Sequence, residues 1–261
     1  MEIVWVCLVC LAASTIGGIC GVGGGVLIKP VLDAAGVMSV STLSFLSGLT
    51  VLTMACVNVF RSRKSKELDG KRSIPLGLGA AAGGVSGKFL FDLIKRSVGN
   101  DRLVGAIQAI VLGIMVLGTL LYVVNREKIR SRDLQSPAAA VGIGLALGIA
   151  SSFLGIGGGP MNLAVLYYFF SMDTKKAAIN SILVILLSQT ASLIFSVASG
   201  TVPPFDGGML IAMAGAGALG GYLSSQLHKK LSAALTDRLF IGLLIVILLI
   251  CVYNAIRMLG A

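Results

Sequence analysis

Charged residues are scarce in this sequence of 261 residues. Lys, Arg, Asp and Glu together make up 12% of the chain, against roughly 25% in an ordinary soluble domain. Hydrophobic residues reach 56% and the mean hydropathy is +0.95. Apolar runs of this extent require lipid around them. The composition therefore excludes a soluble enzyme and predicts an all-α protein that crosses a membrane several times.

Metal ligands and nucleotide-binding motifs are also missing. The chain has one histidine, His228, and its five cysteines lie inside apolar segments without the spacing of a metal site or a disulfide framework. No GxxxxGK[ST] phosphate-binding motif occurs. We therefore predict no metal, no cofactor, no enzymatic activity and no direct use of ATP.

The net charge of +10 does not indicate a nucleic-acid partner. Its lysines and arginines stand in short clusters between apolar segments, the pattern typical of cytoplasmic loops that face anionic lipid headgroups. Membrane lipid is the partner that this distribution predicts.

Six apolar stretches are long enough to cross about 30 Å of hydrocarbon as single helices. They are predicted at 38–60, 74–95, 103–125, 177–199, 207–227 and 238–257. Two further stretches, 3–36 and 137–171, are too long for one crossing and are interrupted by glycine clusters. Each is either a broken spanning helix or a re-entrant hairpin of two half-helices that enters and leaves on one face.

The two interrupted stretches resemble each other. Gly21-Val22-Gly23-Gly24-Gly25 recurs as Gly155-Ile156-Gly157-Gly158-Gly159, at an offset of 134 positions. Farther along, Asp101-Arg102-Leu103 recurs as Asp237-Arg238-Leu239. These matches predict a duplication, with a first membrane repeat at 1–125, a cytoplasmic linker at 126–136 and a second membrane repeat at 137–261.

The distribution of basic residues favours the hairpin interpretation. Re-entrant hairpins place most of the 21 lysines and arginines on the side of the linker, whereas spanning segments divide them almost evenly. Each repeat then contains one glycine-broken re-entrant hairpin and three transmembrane helices. Because three is odd, the second repeat is inverted relative to the first, as in many secondary transporters.

A glycine-rich break at membrane depth is tolerated only where it is enclosed by protein or lines a cavity. Each break precedes a half-helix whose first N–H groups are free and whose positive dipole end favours an anion. Pro160 suits the first turn of such a helix. The predicted site therefore includes Gly21, Gly23, Gly24 and Gly25 from the first break and Gly155, Gly157, Gly158, Gly159 and Pro160 from the second. The alternative is that the glycines only allow helices to pack closely.

The paired motifs, Gly17 to Gly25 with Pro30 and Gly155 to Pro160, resemble those of the sulfite exporter TauE/SafE family of bacterial permeases, also called the toluene sulfonate uptake permease group. The resemblance spans nearly the whole chain. In the helix that follows, Ala178-Ile179-Asn180-Ser181 is similar to the family's Ala-x-Gly/Ala-Thr-Ser pattern, whereas Phe45-Leu46-Ser47-Gly48 departs from it. The resemblance implies transport of sulfite, sulfonates or other small sulfur-containing or organic anions.

Polar residues on the next helices are further candidates for the anion site. Ser47, Thr50 and Thr53 recur at helical spacing in the first repeat, as do Asn180, Ser181, Ser188 and Gln189 in the second. They could donate hydrogen bonds to sulfonate oxygens or bond to the preceding helical turn. We expect Asn180 and Gln189 to face a cavity because buried amides are costly in lipid. Asn162 lies in the first turn after Pro160 and could reach the same site.

Two lysines occur inside apolar segments. Lys29 follows the first break by four residues and could complement an anionic substrate. Asp33, four residues later, could instead neutralise it. The same spacing recurs at Lys88 and Asp92, where we expect the lysine to extend towards the interface.

The sequence thus predicts a multi-pass transporter of the cell's inner membrane that binds a small sulfur-containing anion between two half-helix tips near the bilayer midplane. Alternating access would move the anion, with a coupling ion as a possible second partner. Three alternatives stay open: an anion channel with the tips as a selectivity filter, an intramembrane redox protein that uses the cysteines, and a scaffold that transports nothing.

Overall fold

The structure is a computed structural model that describes residues 2–156 and 159–259, and all regular secondary structure in these ranges is helical. The α-helices in chain order are α1 (Glu2–Cys20), α2 (Gly25–Ala35), α3 (Val40–Ser62), α4 (Gly70–Val98), α5 (Asp101–Asn125), α6 (Pro137–Leu154), α7 (Pro160–Phe170), α8 (Thr174–Ala198), α9 (Gly207–Lys230) and α10 (Ala233–Leu259). One 3-10 turn, Arg126–Lys128, follows α5.

The six predicted transmembrane helices are confirmed as α3, α4, α5, α8, α9 and α10, with ends that shift by a few residues. The shifts arise because apolar runs mark the hydrocarbon, whereas helices continue through polar residues until a cap ends them. Asp69 caps α4, Asp173 caps α8 and Asp206 caps α9, each by accepting a backbone N–H. Together with α1 and α6, eight described helices are long and apolar enough to cross a membrane.

The two interrupted stretches divide unequally. We expected a half-helix on each side of each break, but α1 has 19 residues and α2 has 11, while α6 has 18 and α7 has 11. At 1.5 Å per residue, α1 and α6 are long enough to cross alone, and α2 and α7 reach about half-way. The break therefore follows a long helix in both cases.

At the first break the chain turns back along α1. Gly21 and Gly23 have φ angles of 75° and 82°, in the left-handed region that glycine enters without strain. The N–H groups of Val22 and Gly23 both donate to Gly17 O, at 2.8 and 3.2 Å. Gly24 then lies against Ser14, so α2 begins at the level of the middle of α1.

The half-helix α2 continues this return in the opposite direction to α1. Ile28 and Leu32 of α2 pack in one buried cluster with Val6, Cys10 and Ala13 of α1. The end of α2 consequently lies near the beginning of α1.

Helices of the two halves pack on each other in reciprocal pairs. α1 packs along α9, and α6 packs along α4, with both members of each pair running in the same direction. α3 packs along α8, and α5 along α10, in opposite directions. Every helix in these pairs therefore meets its partner from the other half of the chain.

Ion pairs gather at the face that carries residues 126–136, which we call the linker face. Arg126 pairs with Asp237 at 2.5 Å, Arg72 with Asp133 at 2.9 Å, and Lys176 with Asp69 at 3.1 Å. The opposite face holds the beginning of α3, the ends of α2 and α4, and the α8–α9 connection, where Thr42 donates to Pro204 O.

Closely packed glycines line the contact between α4 and α6. On α4 the glycines 79, 83 and 87 face the backbone of α6, and on α6 Gly144 and Gly148 face the backbone of α4. At each position a Cβ would overlap a carbonyl oxygen of the other helix. Small residues allow such close helix contacts in membrane proteins.

We expect Gly148→Ala to destabilise the protein by about 1–3 kcal/mol, because the added methyl group overlaps Ala80 O and the helices must separate. Gly142→Ala is the matched control on the same helix, since a Cβ there meets no atom within 4 Å. Thermal unfolding in detergent would measure the difference. Equal midpoints for the two variants would contradict the close α4–α6 contact.

Candidate functional site

Each glycine break contacts a helix of the other half of the chain. Gly21 lies directly against the backbone of Ala178 on α8. Gly155, with φ 64°, lies against Ser44 on α3, where a Cβ would be 2.5 Å from Ser44 Oγ. Positions 44 and 178 differ by 134, the same offset that relates the two glycines. The two contacts are therefore related by the same offset as the two glycine motifs.

The described parts of the two breaks also contact each other. Gly25, the first residue of α2, lies against the carbonyl oxygen of Ile156, with no room for a Cβ between them. Ser47 Oγ donates to Gly155 O at 3.0 Å. Backbone of one break thus packs on backbone of the other, and the nearest cavity lies to one side of Gly155. Gly157 and Gly158, also predicted site residues, lie outside the described residues.

That cavity lies between α3, α4, α6 and α8, on the side of Gly155 towards the face opposite the linker. The centre of a water molecule can occupy about 40 Å³ of this cavity. That volume has room for about three water molecules. Five hydroxyl groups line it, from Ser44, Ser151, Ser152, Ser192 and Ser196. Gln189 also lines it, so the expectation that this amide faces a cavity is confirmed.

Lys88 is the cation of this cavity. We expected its side chain to extend to the interface, but the residue is 9% exposed and lines the cavity beside Gly155. Among the described residues, no carboxylate lies within 4.0 Å of its ammonium group. Its Nζ lies 5.2 Å from the ring centroid of Phe91, within cation–π range. Asp92, one helical turn later, acts on this ammonium group electrostatically from beyond that distance. The group therefore has a negative charge in its neighbourhood but keeps its N–H donors for an anion.

The equivalent region on the linker side is filled by side chains. Ser192 corresponds by the offset of 134 to Asn58, whose Nδ2 donates to Ser224 Oγ at 3.0 Å. Arg61 Nε donates to Ser225 Oγ at 2.7 Å. The two halves of the molecule thus differ, with a cavity on one side of the breaks and a hydrogen-bonded cluster on the other.

His228 completes the linker-side cluster. Its Nδ1 lies 3.1 Å from Ile19 O at the end of α1, and its Nε2 lies 3.9 Å from a carboxylate oxygen of Glu67. Glu67 belongs to the α3–α4 loop, so the cluster extends to the linker face.

Lys29 forms the ion pair that its spacing allowed. Its Nζ lies 2.8 Å from Asp33 Oδ2, and the two side chains are 4% and 9% exposed. The aliphatic part of Lys29 nevertheless passes close to the breaks, since its Cε would lie 3.3 Å from a Cβ on Gly155.

Asn180 binds the α3–α4 loop. Its Oδ1 accepts from Asp69 N at 2.9 Å and from Ser73 Oγ at 2.6 Å, while its Nδ2 donates to Glu67 O at 2.8 Å and to Lys176 O at 2.7 Å. These four bonds use the hydrogen-bonding capacity of the amide. Asn180 therefore connects α8 to the linker-side loop.

Asp69 in the same loop is held as a carboxylate. Burial raises the pKa of Asp69, but the hydrogen bonds and positive charges of Lys176 and Arg72 together outweigh burial, so the pKa falls below its usual range. A lowered pKa stabilises the folded state at neutral pH, and this contribution is lost as the pH falls through the lowered value. The loop is thus anchored to α8 by charge as well as by the amide.

The other predicted polar residues fall into two groups. Thr50 and Ser188 bond to carbonyl oxygens one turn earlier, as the alternative interpretation expected. Ser181 Oγ and Asn162 Oδ1 are buried without a hydrogen-bond partner among the described residues. Asn162 lies in the first turn of α7, after Gly159 at the N-cap and Pro160 at the first position.

The residues of the cavity that were not predicted from the sequence as site residues include Ser44, Ser151, Ser152 and Lys88. Ser151 and Ser152 lie in the last turn of α6, just before the second break. A polar pair at the end of an apolar helix could have indicated that these residues line a site. Lys88 was ambiguous because its spacing to Asp92 equals that of Lys29 to Asp33.

Comparison with known proteins gives one match. The family model described as Sulfite exporter TauE/SafE matches residues 6–250, so it covers both glycine breaks and all ten helices at least in part. No curated protein and no solved structure matches the chain. The match confirms the family that the two glycine motifs predicted.

Asn180→Ala and Gln189→Ala both remove an amide from α8, but we expect the first to lower stability and the second to weaken anion binding. We expect Asn180→Ala to lower the unfolding midpoint clearly, because two bonds to the loop, one to Ser73 of α4 and one within α8 are lost. The buried partners are left unpaired, at about 1–3 kcal/mol per group. Gln189→Ala should change stability little and weaken anion binding. Thermal unfolding with and without added sulfite would test both. A stable Asn180→Ala protein would contradict the anchoring role.

Proposed function

The chain belongs to the sulfite exporter TauE/SafE family, and we propose from this premise that it is a secondary transporter for sulfite or another sulfur oxyanion or organosulfonate. Family members are membrane permeases rather than enzymes. The eight long apolar helices agree with a multi-pass membrane protein. We propose the cell's inner membrane as its location, with the linker face towards the cytoplasm because most basic loops gather there.

The observation that carries the proposal is the buried ammonium group of Lys88 in a cavity of hydroxyl groups. A lone buried charge costs several kcal/mol unless a counter-charge and hydrogen bonds offset it. A sulfur oxyanion supplies the charge, and its oxygens accept from Lys88, from serine hydroxyls and from the Gln189 amide. Carboxylates would fit the charge but use fewer of these donors.

The breaks supply the second part of the proposed site. We propose that Gly21, Gly23, Gly24 and Gly25, with Gly155, Gly157, Gly158, Gly159 and Pro160, bring the positive ends of α2 and α7 to the anion path. Lys29, Ser47, Asn162, Ser181 and Gln189 complete the set of candidate ligands. Asn180 is assigned to hold the linker-side loop in register with α8.

We further propose that residues 1–125 and 137–261 are inverted repeats joined by the linker 126–136. Three features support this: the equivalent contacts of Gly21 and Gly155, the opposite directions of α3 and α8, and the opposite directions of α5 and α10. A two-fold axis that relates antiparallel helices lies in the membrane plane, as inverted repeats require. The return of α2 along α1 supports a re-entrant hairpin.

The difference in packing between the two halves supports alternating access as the proposed mechanism. In the described conformation the cavity lies on the side opposite the linker, and the cluster of Asn58, Ser224, Arg61 and Ser225 fills the linker side. Exchange of these two arrangements between the repeats would move the anion from one side to the other. The glycine contacts of α4 with α6 provide smooth surfaces for that movement.

Anion binding should depend on Lys88. Purified protein should be stabilised against heating by sulfite, thiosulfate, sulfate, taurine or sulfoacetate, and less by acetate and citrate. We expect Lys88→Gln to weaken this binding by about tenfold or more, since a charge-assisted hydrogen bond contributes about 1.5–3 kcal/mol. Lys71→Gln, an exposed position near the start of the same helix, is the matched control. Equal loss in both variants, or none, would contradict a site at Lys88.

Transport assays would separate a carrier from a channel. In proteoliposomes, a carrier should show saturable uptake of labelled sulfite that is stimulated by unlabelled sulfite inside the vesicle. Flux that rises linearly without such stimulation would instead support an anion channel with the tips as its filter.

A further inference from the structure

A second buried polar cluster lies on the other side of Lys29 from the anion cavity. It sits between α2, α5, α10 and the end of α6 and contains the Lys29–Asp33 ion pair, Gln108 and Asn254. A cavity of about 10 Å³ separates these side chains, about the room of one water molecule. Of these four residues, the proposed anion site uses only Lys29, and Asp33, Gln108 and Asn254 have no part in it.

Two amide oxygens in the cluster lack a donor. Gln108 Nε2 donates to Phe153 O at 2.6 Å, and Asn254 Nδ2 donates to Pro30 O at 2.9 Å. Because a carbonyl oxygen can only accept, these bonds fix which end of each amide is the nitrogen. Gln108 Oε1 and Asn254 Oδ1 are left buried, without a hydrogen-bond partner among the described residues.

The two amides and Lys29 favour different protonation states of Asp33. The Lys29 ammonium group stabilises the carboxylate through the 2.8 Å ion pair. The amide oxygens offer nothing to a carboxylate, since all these oxygens are acceptors. They would accept the O–H of a neutral carboxylic acid and would then no longer be unpaired. Asp33 therefore has a partner in both its ionised and its neutral form. The position of the Lys29 ammonium group determines which form is favoured.

Lys29 connects this cluster to the anion cavity. Its Cε and Ser44 Oγ approach the same point on Gly155, at 3.3 and 2.5 Å from the position of a Cβ there. Ser44 and Gly155 line the anion cavity. The long side chain can thus direct its ammonium group to Asp33 or, by a change of rotamer, towards the cavity.

We propose that Asp33 is the proton-binding residue that couples proton movement to anion transport; this inference rests on the proposed function. An anion that enters the cavity attracts the Lys29 ammonium group away from Asp33. Asp33 then takes up one proton from solution and keeps it as an O–H group, which donates a hydrogen bond to Gln108 Oε1 or Asn254 Oδ1. Release of the anion reverses both steps. Each anion thus enters with one proton, which offsets one negative charge of the anion.

Few other ionisable groups face Asp33. On α10, Cys251 lines the same small cavity, and Arg257 donates to Ala34 O at the end of α2. α5 contributes the non-ionising Gln108, and the end of α6 contributes Leu154. α1 contributes Cys10 to the cluster that it forms with α2, and α3 carries no acidic residue. Lys29 is thus the cation whose position controls Asp33.

Proton uptake on anion binding tests this proposal directly. Full-length protein in weakly buffered detergent would be titrated with sulfate and with thiosulfate, which stay ionised throughout, while a pH-sensitive dye records protons taken up. We expect about one proton per bound anion and an affinity that rises about tenfold for each unit by which the pH is lowered. Asp33→Asn should still bind the anion, take up no proton and bind with an affinity independent of pH.

Two further variants serve as controls. One tests whether an unpaired buried charge has unfolded the protein, and the other tests whether loss of any aspartate has the same effect. Lys29→Gln/Asp33→Asn removes both charges, so neither is left unpaired, and it should also take up no proton. Asp206→Asn makes the same change at an exposed helix cap, which asparagine also serves, and proton uptake should persist.

The outcomes separate the inference from the function on which it rests. Failure of the wild type to bind either anion overturns the proposed function and the inference together. Binding without proton uptake, or pH-dependent binding in Asp33→Asn, overturns the inference alone. Anion affinity that depends on Na⁺ at fixed pH would assign the cluster to a metal cation and would also overturn the proton assignment.

Discussion

The structure depends on the need to satisfy backbone N–H and C=O groups wherever a helix is interrupted inside a membrane. Neither lipid nor an open loop can provide partners there, so each break must find them within the protein. Gly17 O accepts two N–H groups of the first break, and Ser47 donates to Gly155 of the second. Each break also packs against a helix of the other half. The two halves are joined at the breaks by close backbone packing and by the hydrogen bond from Ser47 to Gly155.

Close approach of the halves follows from this requirement and explains the abundance of glycine. The chain contains 34 glycines, and those between α4 and α6 bring backbone against backbone. Contacts this close leave little internal space. The cavity beside Gly155 exists because serines of α3, α6 and α8 stand where larger side chains would fill it. On the linker side Asn58, Arg61 and His228 occupy the corresponding region. The two halves of the chain therefore differ in that one encloses a cavity beside its break and the other fills the corresponding region with side chains.

The two buried lysines have the same local sequence pattern and different surroundings. Both have an aspartate four residues later. Lys29 pairs with its aspartate, since α5, α10 and α6 enclose both side chains. Lys88 points into the serine-lined cavity, over the ring of Phe91. One lysine is therefore neutralised and the other is available to an anion, and their shared proximity to Gly155 places both next to the proposed path.

The sequence by itself determined the membrane class, six long helices, the two glycine breaks and the family, because hydropathy, glycine clusters and the offset of 134 are properties of the chain alone. It also indicated that Gln189 faces a cavity, from the cost of burying an amide in lipid. Only the tertiary structure decided the rest. It gave each break one long and one short helix, engaged Asn180 with a loop more than one hundred residues away, and brought Ser44, Ser151 and Lys88 around one cavity. These outcomes depend on which helix faces which across the two halves. Packing of small residues in lipid leaves only a weak pattern of such contacts in the sequence.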